Sequence, residues 1–480
     1  MTVTTKGPLP SEPYDVTVVG AGVVGSAIAR ELAQHPLRVA LVEASGDVGD
    51  GTSKANTAIL HTGFDAVPGS LEARLVREGR RLLAAYAIES GIPVEPVGAL
   101  LVAWDEEQLA ALPGLLKKAE ANDYHEARII GAAEVRSREP HLGEGALGAL
   151  EVPGESIICP WTTTLAYATQ AVRAGVDLHL NCKVEGLASP PPPDGADHHE
   201  LTTPRGVIRT RHLINAAGLH ADTLDQLLLG SGKFTVTPRR GQLIVFDKLA
   251  RDLVRHILLP VPTALGKGVL VAPTVYGNVL LGPTAEELDD KRATGTTQDG
   301  LDGLRAKGGR ILPALLDEEV TAVYAGLRAA TEHDDYQIHG APGQRYITVG
   351  GIRSTGLTAS MAIAEHVVGL LADAAGPDLD LTVAGNLDPV RMPNLGESFP
   401  RPYQRADLIA TDSAYGSIVC HCERVTRGEI RDALISTVPP GSLDGLRRRT
   451  RARGGRCQGF YCGAAVRELF EGWGESGAAR

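Results

Sequence analysis

The stretch that most constrains the fold runs from Asp15 to Glu43 and reads DVTVVGAGVVGSAIARELAQHPLRVALVE. The β-branched run at its start is typical of a buried parallel strand. The following glycines, Gly20, Gly22 and Gly25, fit the pattern G-x-G-x-x-G. In this pattern the first glycine permits a tight turn and the second lets the backbone approach a diphosphate. The third lets the helix pack closely on the strand.

A helix and a second strand would complete a βαβ unit. Apolar residues at helical spacing, from Val24 to Leu32, predict a helix directly after the glycines. The N-terminal amides and dipole of that helix favour an anion. Arg38 to Val42 predicts a second strand, and Glu43 at its end can accept ribose hydroxyls and repel a 2′-phosphate. The stretch therefore predicts a site for a dinucleotide with an ADP half, rather than a glycine-rich turn that binds nothing.

Length and composition exclude several classes of protein. A chain of 480 residues suggests roughly three domains, and its 43% hydrophobic residues supply a large core. The net charge of −11 argues against nucleic acid as the main partner. We find no signal-peptide pattern and no apolar run of about 18 residues, so we expect a cytoplasmic protein without a transmembrane segment. Peripheral association with a membrane remains open.

The middle of the chain has a different texture. Leu71 to Ser90 and Glu106 to Asn122 have helical periodicity, and a proline-rich turn is predicted at 189–195. Residues 236–285 alternate in β fashion between glycine- and proline-containing turns, which predicts an antiparallel sheet. We assign this sheet to a substrate domain.

A second glycine-lined junction lies far along the chain. The short strand Tyr346 to Val349 leads into GGIRSTGLTAS, and Ala362 to Ala372 continues as a helix. A second helix N-terminus can face the other end of a long cofactor and favour negative charge on a flavin ring. Two such junctions favour FAD over NAD.

Several segments together carry a family resemblance: VVGAGVVGSAIARELA, TSKANTAILHTG, LINAAGLHAD, GVLVAPTVYGNVLLGPTAE and GGIRSTGLTASMAIAEHV. They resemble the D-amino-acid-oxidase-type FAD oxidoreductases. Within that superfamily they are most similar to the flavoprotein subunit of anaerobic glycerol-3-phosphate dehydrogenase and to L-2-hydroxyglutarate dehydrogenases. The resemblance implies an α/β (α+β) fold with a Rossmann-like FAD-binding domain of the glutathione-reductase type. An antiparallel-sheet substrate domain would be inserted into it.

The predicted domain boundaries follow from this resemblance and from the composition. The FAD-binding domain is discontinuous, at 13–90, 145–235 and 340–375. The substrate domain takes 91–144 and 236–339. A proline-containing linker at 376–414 precedes a small helical domain at 415–475.

Four cysteines in the last domain form a spaced set. Cys420 and Cys422 make C-x-C, and Cys457 and Cys462 make C-x4-C. Four thiolates from two loops suit a [2Fe–2S] cluster, whereas zinc-binding pairs usually stand further apart than C-x-C. Structural zinc and unligated thiols are the alternatives. The segment also resembles the bacterioferritin-associated-ferredoxin-type [2Fe–2S] domain.

The other two cysteines, Cys159 and Cys182, lack partner spacing and are predicted to be small buried hydrophobic residues. A capping box is predicted at Thr426 and Glu429, so a helix should follow closely on Cys422.

The resemblance also implies site residues. His61 would take the substrate hydroxyl proton, and Arg328 and Arg353 would bind an anionic group. For each of these residues a purely structural role is the alternative, and Lys267 is a weaker candidate. The residues implied to bind FAD are Gly20, Gly22, Gly25, Glu43, Thr52, Ser53, Ala217, Gly218, Gly351, Gly356, Leu357 and Thr358.

The expected function is an FAD-dependent dehydrogenase that oxidises a small anionic secondary alcohol, such as glycerol 3-phosphate or a 2-hydroxy acid. Electrons would pass through the cluster to a partner subunit or another acceptor. The alternatives are an amine or imino-acid dehydrogenase of the same fold and an electron-transfer subunit with an idle substrate site. The arginine-rich stretch Arg447 to Arg456 is either a solvated face or a docking patch for an acidic redox partner.

Overall fold

The structure, a computed structural model, describes residues 3–187, 198–262, 268–341, 343–375 and 378–477. The proline-rich segment predicted as a turn at 189–195, and Lys267, lie outside the described residues.

The strands of the described residues fall into two large sheets and two small ones. The first large sheet contains β1 (Val3–Thr4), β2 (Tyr14–Val19), β3 (Val39–Val42), β10 (Asp177–His179), β11 (Gly186–Leu187), β12 (His199–Thr203), β13 (Gly206–Asn215), β20 (Gln337–Ala341) and β21 (Tyr346–Gly350). The second contains β6 (Ala99–Ala103), β7 (Arg128–Gly131), β8 (Gly148–Val152), β14 (Thr237–Phe246), β15 (Ile257–Pro260), β16 (Leu270–Pro273), β17 (Val279–Gly282), β18 (Glu286–Glu287) and β19 (Val320–Ala330). The small sheets contain β4 (Ile59–Leu60), β5 (Val94–Glu95) and β9 (Ser156–Ile158), and β22 (Ile418–Cys420) with β23 (Val425–Thr426).

The helices cover the first large sheet, flank the second and build most of the C-terminal domain. They are α1 (Val23–Leu32), α2 (Leu71–Ser90), α3 (Glu106–Ala121), α4 (Ala132–Arg138), α5 (Pro160–Arg173), α6 (Ala221–Leu229), α7 (Gln298–Ile311), α8 (Gly356–Ala375), α9 (Ala406–Thr411), α10 (Arg427–Leu434), α11 (Leu443–Thr450) and α12 (Gly463–Gly477). The helices predicted at α2 and α3 are confirmed, and Ser70 and Asp105 cap their N-termini.

The first sheet has the predicted βαβ start. β2 lies between β3 and β13 and runs parallel to both, with Val18 opposite Leu41 and Ile214. β21 continues the parallel set beside β13. Because the interior strands of this sheet are buried on both faces, they are apolar almost throughout. The carboxyl ends of β2, β13 and β21 therefore lie at one edge, where a cofactor binds in folds of this kind.

The second sheet is mostly antiparallel, as the alternation predicted. β14 pairs with β19 along its whole length, and β6 joins through β15 and β8. The strand 148–152, β8, belongs to this sheet because it pairs with β6. The predicted boundary at 145 places the same residues in the FAD-binding domain. Likewise β20 begins at Gln337 and pairs in the first sheet, slightly before the predicted boundary at 340. The domain boundaries remain predictions.

The segment predicted as a linker is fastened to the body of the molecule over part of its length. Within 378–414, the backbone amides of Ala384 and Met392 donate to the carbonyls of Gln34 and Ser90, at 2.8 Å in both cases. Val390 and Leu395 are buried in the main core. The C-terminal domain is therefore tied to the rest of the chain before its own fold begins.

One described helix, α8, is long and apolar enough to cross a membrane by length and composition. Half of its most apolar window is buried inside the protein, where the helix packs against α1 and α2. That packing accounts for its apolar sequence.

Candidate functional site

The first glycine-rich turn is held by close backbone approaches. Gly20 has φ +104°, and a Cβ atom there would lie 2.5 Å from the Ala216 carbonyl oxygen. A Cβ on Gly25 would overlap the Gly20 carbonyl oxygen. A Cβ on Gly20 would also lie 3.2 Å from the Cα of Ala217, so the Ala217–Gly218 turn lies directly beside this glycine. Only glycine fits at positions 20 and 25 without a backbone shift.

Two polar side chains order the backbone around this turn. The Glu43 carboxylate accepts hydrogen bonds from the amides of Ala21 and Ser45, both at 2.8 Å. Burial raises the pKa of Glu43, and these two amides partly oppose that rise. Ser53 Oγ accepts the amide of Val23, at the start of α1, at 2.9 Å. The turn is thus pre-ordered where a diphosphate would meet the amides of α1.

The loop from Thr52 to His61 contacts both halves of the molecule. Thr52 Oγ1 donates to the Leu327 carbonyl at 2.9 Å, next to Arg328 on β19. At the other end, the His61 amide donates to Thr358 Oγ1, in the first turn of α8, at 3.0 Å. The loop therefore connects the strand of Arg328 with the second glycine junction.

That second junction has the predicted strand-to-helix form, with the helix beginning earlier than predicted, at Gly356. Gly351 has φ +65°. Leu357 and Thr358 lie in the first turn, and a Cβ on Gly79 of α2 would meet the Thr358 carbonyl, so α2 and α8 pack tightly here.

His61 is held by a carboxylate that the sequence did not single out. Its Nδ1 lies 3.1 Å from Oε2 of Glu155, whose side chain is fully buried. The other oxygen, Oε1, accepts the amide and the hydroxyl of Thr62 at 2.6 and 2.8 Å. The only sequence signal was a glutamate between two apolar runs, in EVPGESII.

The two candidate arginines differ in their neighbours. Arg328 donates to the Thr284 carbonyl at 3.4 Å, and within the described ranges no carboxylate forms an ion pair with it. Burial, followed by the charge of Arg239, lowers the pKa of Arg328. Arg353, by contrast, pairs with Glu72 at 3.0 Å. The roles of both arginines in binding substrate remain predictions.

The C-terminal cysteines influence the pKa values of one another's thiols, most strongly Cys462 that of Cys420 and Cys457 that of Cys422. Burial raises the pKa of Cys420 to about 11, whereas the backbone amide of Tyr461 is the largest cause of a lowered pKa at Cys457. In the part of the chain that the structure describes, no three His, Cys, Asp or Glu side chains form a single metal-ion site.

Two pairs of thiols suit a two-iron cluster, in which each iron takes two cysteines, better than one tetrahedral zinc ion. Nearby backbone amides act to lower the pKa of the Cys420, Cys422 and Cys457 thiols, which favours the thiolate form that binds iron. The capping box of Thr426 and Glu429 is confirmed.

Cys159 and Cys182 are buried, as predicted, with 0% and 1% exposure. Burial raises the pKa of both thiols.

Three of the six arginines in the arginine-rich stretch are buried and not solvated. Arg448, Arg449 and Arg451 are 5%, 3% and 6% exposed. Arg449 donates two hydrogen bonds to the Asp47 carboxylate, from Nη1 to Oδ2 and from Nη2 to Oδ1, both at 2.7 Å. Arg448 donates to Oδ2 of the same carboxylate at 3.2 Å. These arginines fasten the C-terminal domain to the loop after β3. The arginine run was visible in the sequence, but its acidic partner, about 400 residues away, was not.

Comparison with known proteins gives the family. Residues 15–370 match the model of the FAD dependent oxidoreductase (DAO) family. The chain belongs to this family. Residues 418–472 match the BFD-like [2Fe-2S] binding domain, so the protein is an FAD-dependent oxidoreductase that also carries a [2Fe–2S] cluster. The predicted family, fold class and cofactors are confirmed.

Three relatives illustrate the similarity. A glycerol 3-phosphate dehydrogenase of Caloramator mitchellensis is 36% identical over 95% of this chain and 94% of the relative. A subunit of the anaerobic glycerol-3-phosphate dehydrogenase of Escherichia coli K12 is 26% identical over 96% of this chain and 88% of the relative. The structure of an FAD-bound L-α-glycerophosphate oxidase of Mycoplasma pneumoniae has a TM-score of 0.71 at 30% identity and covers 80% of this chain and 98% of its own.

The residues of the first junction fit FAD. The close approaches at Gly20 and Gly25 require glycine at both positions, as the dinucleotide-binding pattern does, and Glu43 follows β3, where ribose hydroxyls are bound in folds of this kind. The four cysteines likewise fit the cluster. The individual assignments of these residues to FAD and iron remain predictions.

Proposed function

We propose that this oxidoreductase is a dehydrogenase for a small anionic secondary alcohol, with glycerol 3-phosphate as the first candidate and 2-hydroxy acids as the second. Electrons would leave through the [2Fe–2S] cluster to a separate acceptor. The single observation that carries the proposal is the docking of the cysteine domain onto the FAD-binding domain through the Arg449–Asp47 pair. This contact keeps the two redox domains together within one chain.

The relatives support the dehydrogenase assignment. The two relatives named dehydrogenases match 95% and 96% of this chain. In the comparison with the structure named an oxidase, the match includes 98% of the oxidase but only 80% of this chain. The two relatives that match nearly the whole of this chain, including the cysteine domain, are therefore named dehydrogenases, and a domain for one-electron exit suits a dehydrogenase with a separate acceptor.

The residues supply binding and proton transfer. Arg328, which lacks a carboxylate partner among the described residues, would bind the anionic group of the substrate through its planar fork. His61 would take the proton of the reacting hydroxyl. Bound FAD supplies a two-electron oxidant for the carbon that bears this hydroxyl, by accepting hydride from it. The cluster supplies a one-electron carrier.

A surface feature supports the separate acceptor. Phe460 and Tyr461, between two of the predicted cluster ligands, are 84% and 77% exposed and pack edge to face at 5.2 Å. Large exposed aromatic side chains are typical of contact sites for other proteins.

An anaerobic screen tests the proposal. Purified protein is mixed with glycerol 3-phosphate, 2-hydroxy acids, glycerol and N-methyl amino acids, and bleaching of the flavin absorbance is followed. We expect rapid bleaching by an anionic alcohol and slow bleaching by glycerol, which lacks the charge. Bleaching by N-methyl amino acids alone would replace the proposal with C–N oxidation. Bleaching by none of them would indicate an electron-transfer subunit with an idle site.

A further inference from the structure

The best-buried carboxylate near the proposed site is Glu155, in the turn between β8 and β9. Its side chain is 0% exposed, Oε2 lies 3.1 Å from Nδ1 of His61, and Oε1 accepts hydrogen bonds from the amide and the hydroxyl of Thr62. A buried carboxylate is costly unless donors surround it. The amide and the hydroxyl of Thr62, together with the facing ring nitrogen of His61, give both carboxylate oxygens polar partners.

The turn that carries Glu155 is held in place. The Glu155 carbonyl accepts the Gly98 amide at 2.9 Å. The preceding residue, Gly154, donates its amide to Tyr124 Oη at 2.8 Å. A Cβ on Gly154 would lie 2.7 Å from that oxygen and 2.9 Å from Thr62 Cγ2, so glycine is required for the turn to pack here. The carboxylate therefore has a fixed position relative to the histidine ring.

We infer that Glu155 is a positioning residue for His61, which it holds in the tautomer with hydrogen on Nδ1. An ionised carboxylate can only accept, so the ring nitrogen facing it donates. Nε2 then keeps its lone pair and can receive a proton. The inference rests on the proposed function, in which His61 is the base.

The proton balance of the proposed step is simple. The substrate O–H bond breaks and an Nε2–H bond forms, which leaves a charged imidazolium next to Glu155. The carboxylate keeps its own charge and stabilises the imidazolium by proximity, as a buried carboxylate beside a catalytic histidine does. The hydride leaves the carbon that bears the hydroxyl, and bound FAD accepts it.

Among the described residues, ionisable groups also lie close to the segment that carries His61, and Arg77, Arg80, Arg81, Asp123 and Tyr124 line a cavity together with Thr62. Arg80 donates to the Leu60 carbonyl at 2.9 Å, and Tyr124 has a pKa raised by burial. Glu155, by contrast, contacts the imidazole ring itself, through Nδ1. Removing the charge of Glu155 should therefore lower the pKa of the imidazole.

Glu139 offers a matched control. It is also fully buried, its Oε1 lies 2.7 Å from Nδ1 of a histidine, His256, and it accepts hydrogen bonds from the amides of Arg255 and His256. It lies outside the predicted FAD and substrate residues. Glu139→Gln thus breaks the same kind of contact elsewhere in the molecule.

The kinetic test compares Glu155→Gln, Glu155→Asp and Glu139→Gln. A glutamine amide can donate to Nδ1 and favour the wrong tautomer, so Glu155→Gln should lower kcat by about 10²- to 10⁴-fold with little change in KM. The acid limb of the pH profile should move to lower pH. Glu155→Asp should restore part of kcat, and Glu139→Gln should leave kcat and the profile unchanged. An unchanged kcat and pH profile in Glu155→Gln would overturn the inference.

A second readout does not depend on turnover. In protein labelled with ¹⁵N-histidine, with the His61 signals assigned through His61→Gln, the wild type should show the Nδ1–H tautomer above neutral pH. An Nε2–H tautomer in the wild type would overturn the inference. If no substrate bleaches the flavin, the proposed function fails while this measurement still tests the Glu155–His61 contact. If Glu155→Gln loses its flavin and therefore does not fold, the wild-type spectrum and the Glu155→Asp variant test the inference instead.

Discussion

Arg328 and Arg353 both lie next to predicted flavin or substrate segments, yet their guanidinium groups have different neighbours. Arg353 is neutralised by Glu72, which also accepts a hydrogen bond from Thr355 at 2.6 Å. Among the described residues, the hydrogen bond of Arg328 goes to a backbone carbonyl instead of a carboxylate. A positive charge without a counter-ion is the one free to bind an anionic substrate, so the two residues should respond differently to the same substitution.

We therefore expect Arg328→Gln to raise KM for the anionic substrate by roughly 10- to 100-fold, since a hydrogen bond to a charged group contributes about 1.5–3 kcal/mol. Arg353→Gln should leave KM nearly unchanged and lower the thermal midpoint, because it leaves the buried Glu72 without its cation. Steady-state kinetics and thermal unfolding of both variants check this. An unchanged KM in Arg328→Gln would mean that the assignment to Arg328 is wrong.

At the scale of elements, β13 carries a histidine in an unfavourable place. His212 is 1% exposed, and among the described residues neither of its ring nitrogens has a hydrogen-bond partner. Burial, followed by the charges of Arg345 and Arg211, lowers the pKa of His212 to about 4. The unfolded chain binds a proton near the ordinary pKa of about 6.5. The folded state is thus favoured at neutral pH and loses stability as pH falls from about 6.5 towards 4.

His212→Leu should remove that pH dependence. Between pH 7 and pH 5 the free energy of unfolding of the wild type should fall by roughly 2 kcal/mol through this histidine. The variant should not show this decrease. Urea unfolding midpoints at the two pH values measure the difference. The control is His125→Leu, an exposed histidine whose replacement should leave the dependence intact. A variant that loses as much stability as the wild type would contradict the prediction.

Much at this scale could be predicted from local patterns. Glycine spacing, helical periodicity and the capping box depend on residues near each other in sequence, so α1, α2, α3 and α10 were predictable. The partners of Asp47 and His61 were not, since Arg449 and Glu155 lie far away along the chain. The pairing of the strand 148–152 with β6 is likewise a long-range contact that no local pattern indicates.

The cluster-binding loops form an element that should fold only around its cofactor. The pairs of cysteines come from two loops, and Arg424, Arg453 and Gln458 there adopt left-handed backbone conformations. Cys457→Ser should therefore abolish the iron signal and loosen residues 415–475, because cluster loading and folding are coupled. FAD should stay bound. Iron analysis, hydrogen exchange and flavin content check this.

Cys182→Ser is the matched control for that experiment, because Cys182 is buried but has no role in the predicted cluster. It should keep full iron content. Iron that persists in a Cys420→Ser, Cys457→Ser double variant would contradict the ligand assignment, and zinc in anaerobically prepared protein would contradict the cluster.

At the scale of the whole molecule, the two redox domains are joined by a buried ionic contact. Arg449 and Asp47 are 3% and 2% exposed, and Arg451 lies over the Tyr276 ring at 4.4 Å. Gly441 approaches the Gly46 carbonyl so closely that a Cβ would overlap it. This packing fixes how the cluster domain faces the FAD-binding domain.

Arg449→Met should release the cluster domain, because removing one partner of a buried pair typically costs about 3–5 kcal/mol. We expect faster proteolysis within 378–414 and a larger radius in small-angle scattering. The matched control is Arg467→Met, since Arg467 forms an exposed pair with Glu471, and exposed pairs contribute little. An Arg449 variant that stays compact and protease-resistant would show that the contact is dispensable.

The central claim is that electrons from the substrate reach the cluster through the flavin, and anaerobic rapid-freeze electron paramagnetic resonance tests it most directly. After addition of the bleaching substrate, the signal of a reduced [2Fe–2S] cluster should appear following flavin reduction, without any added acceptor. In Cys457→Ser the flavin should bleach with no such signal. A wild-type flavin that is reduced and reoxidised by acceptors while its cluster stays oxidised throughout would contradict the account.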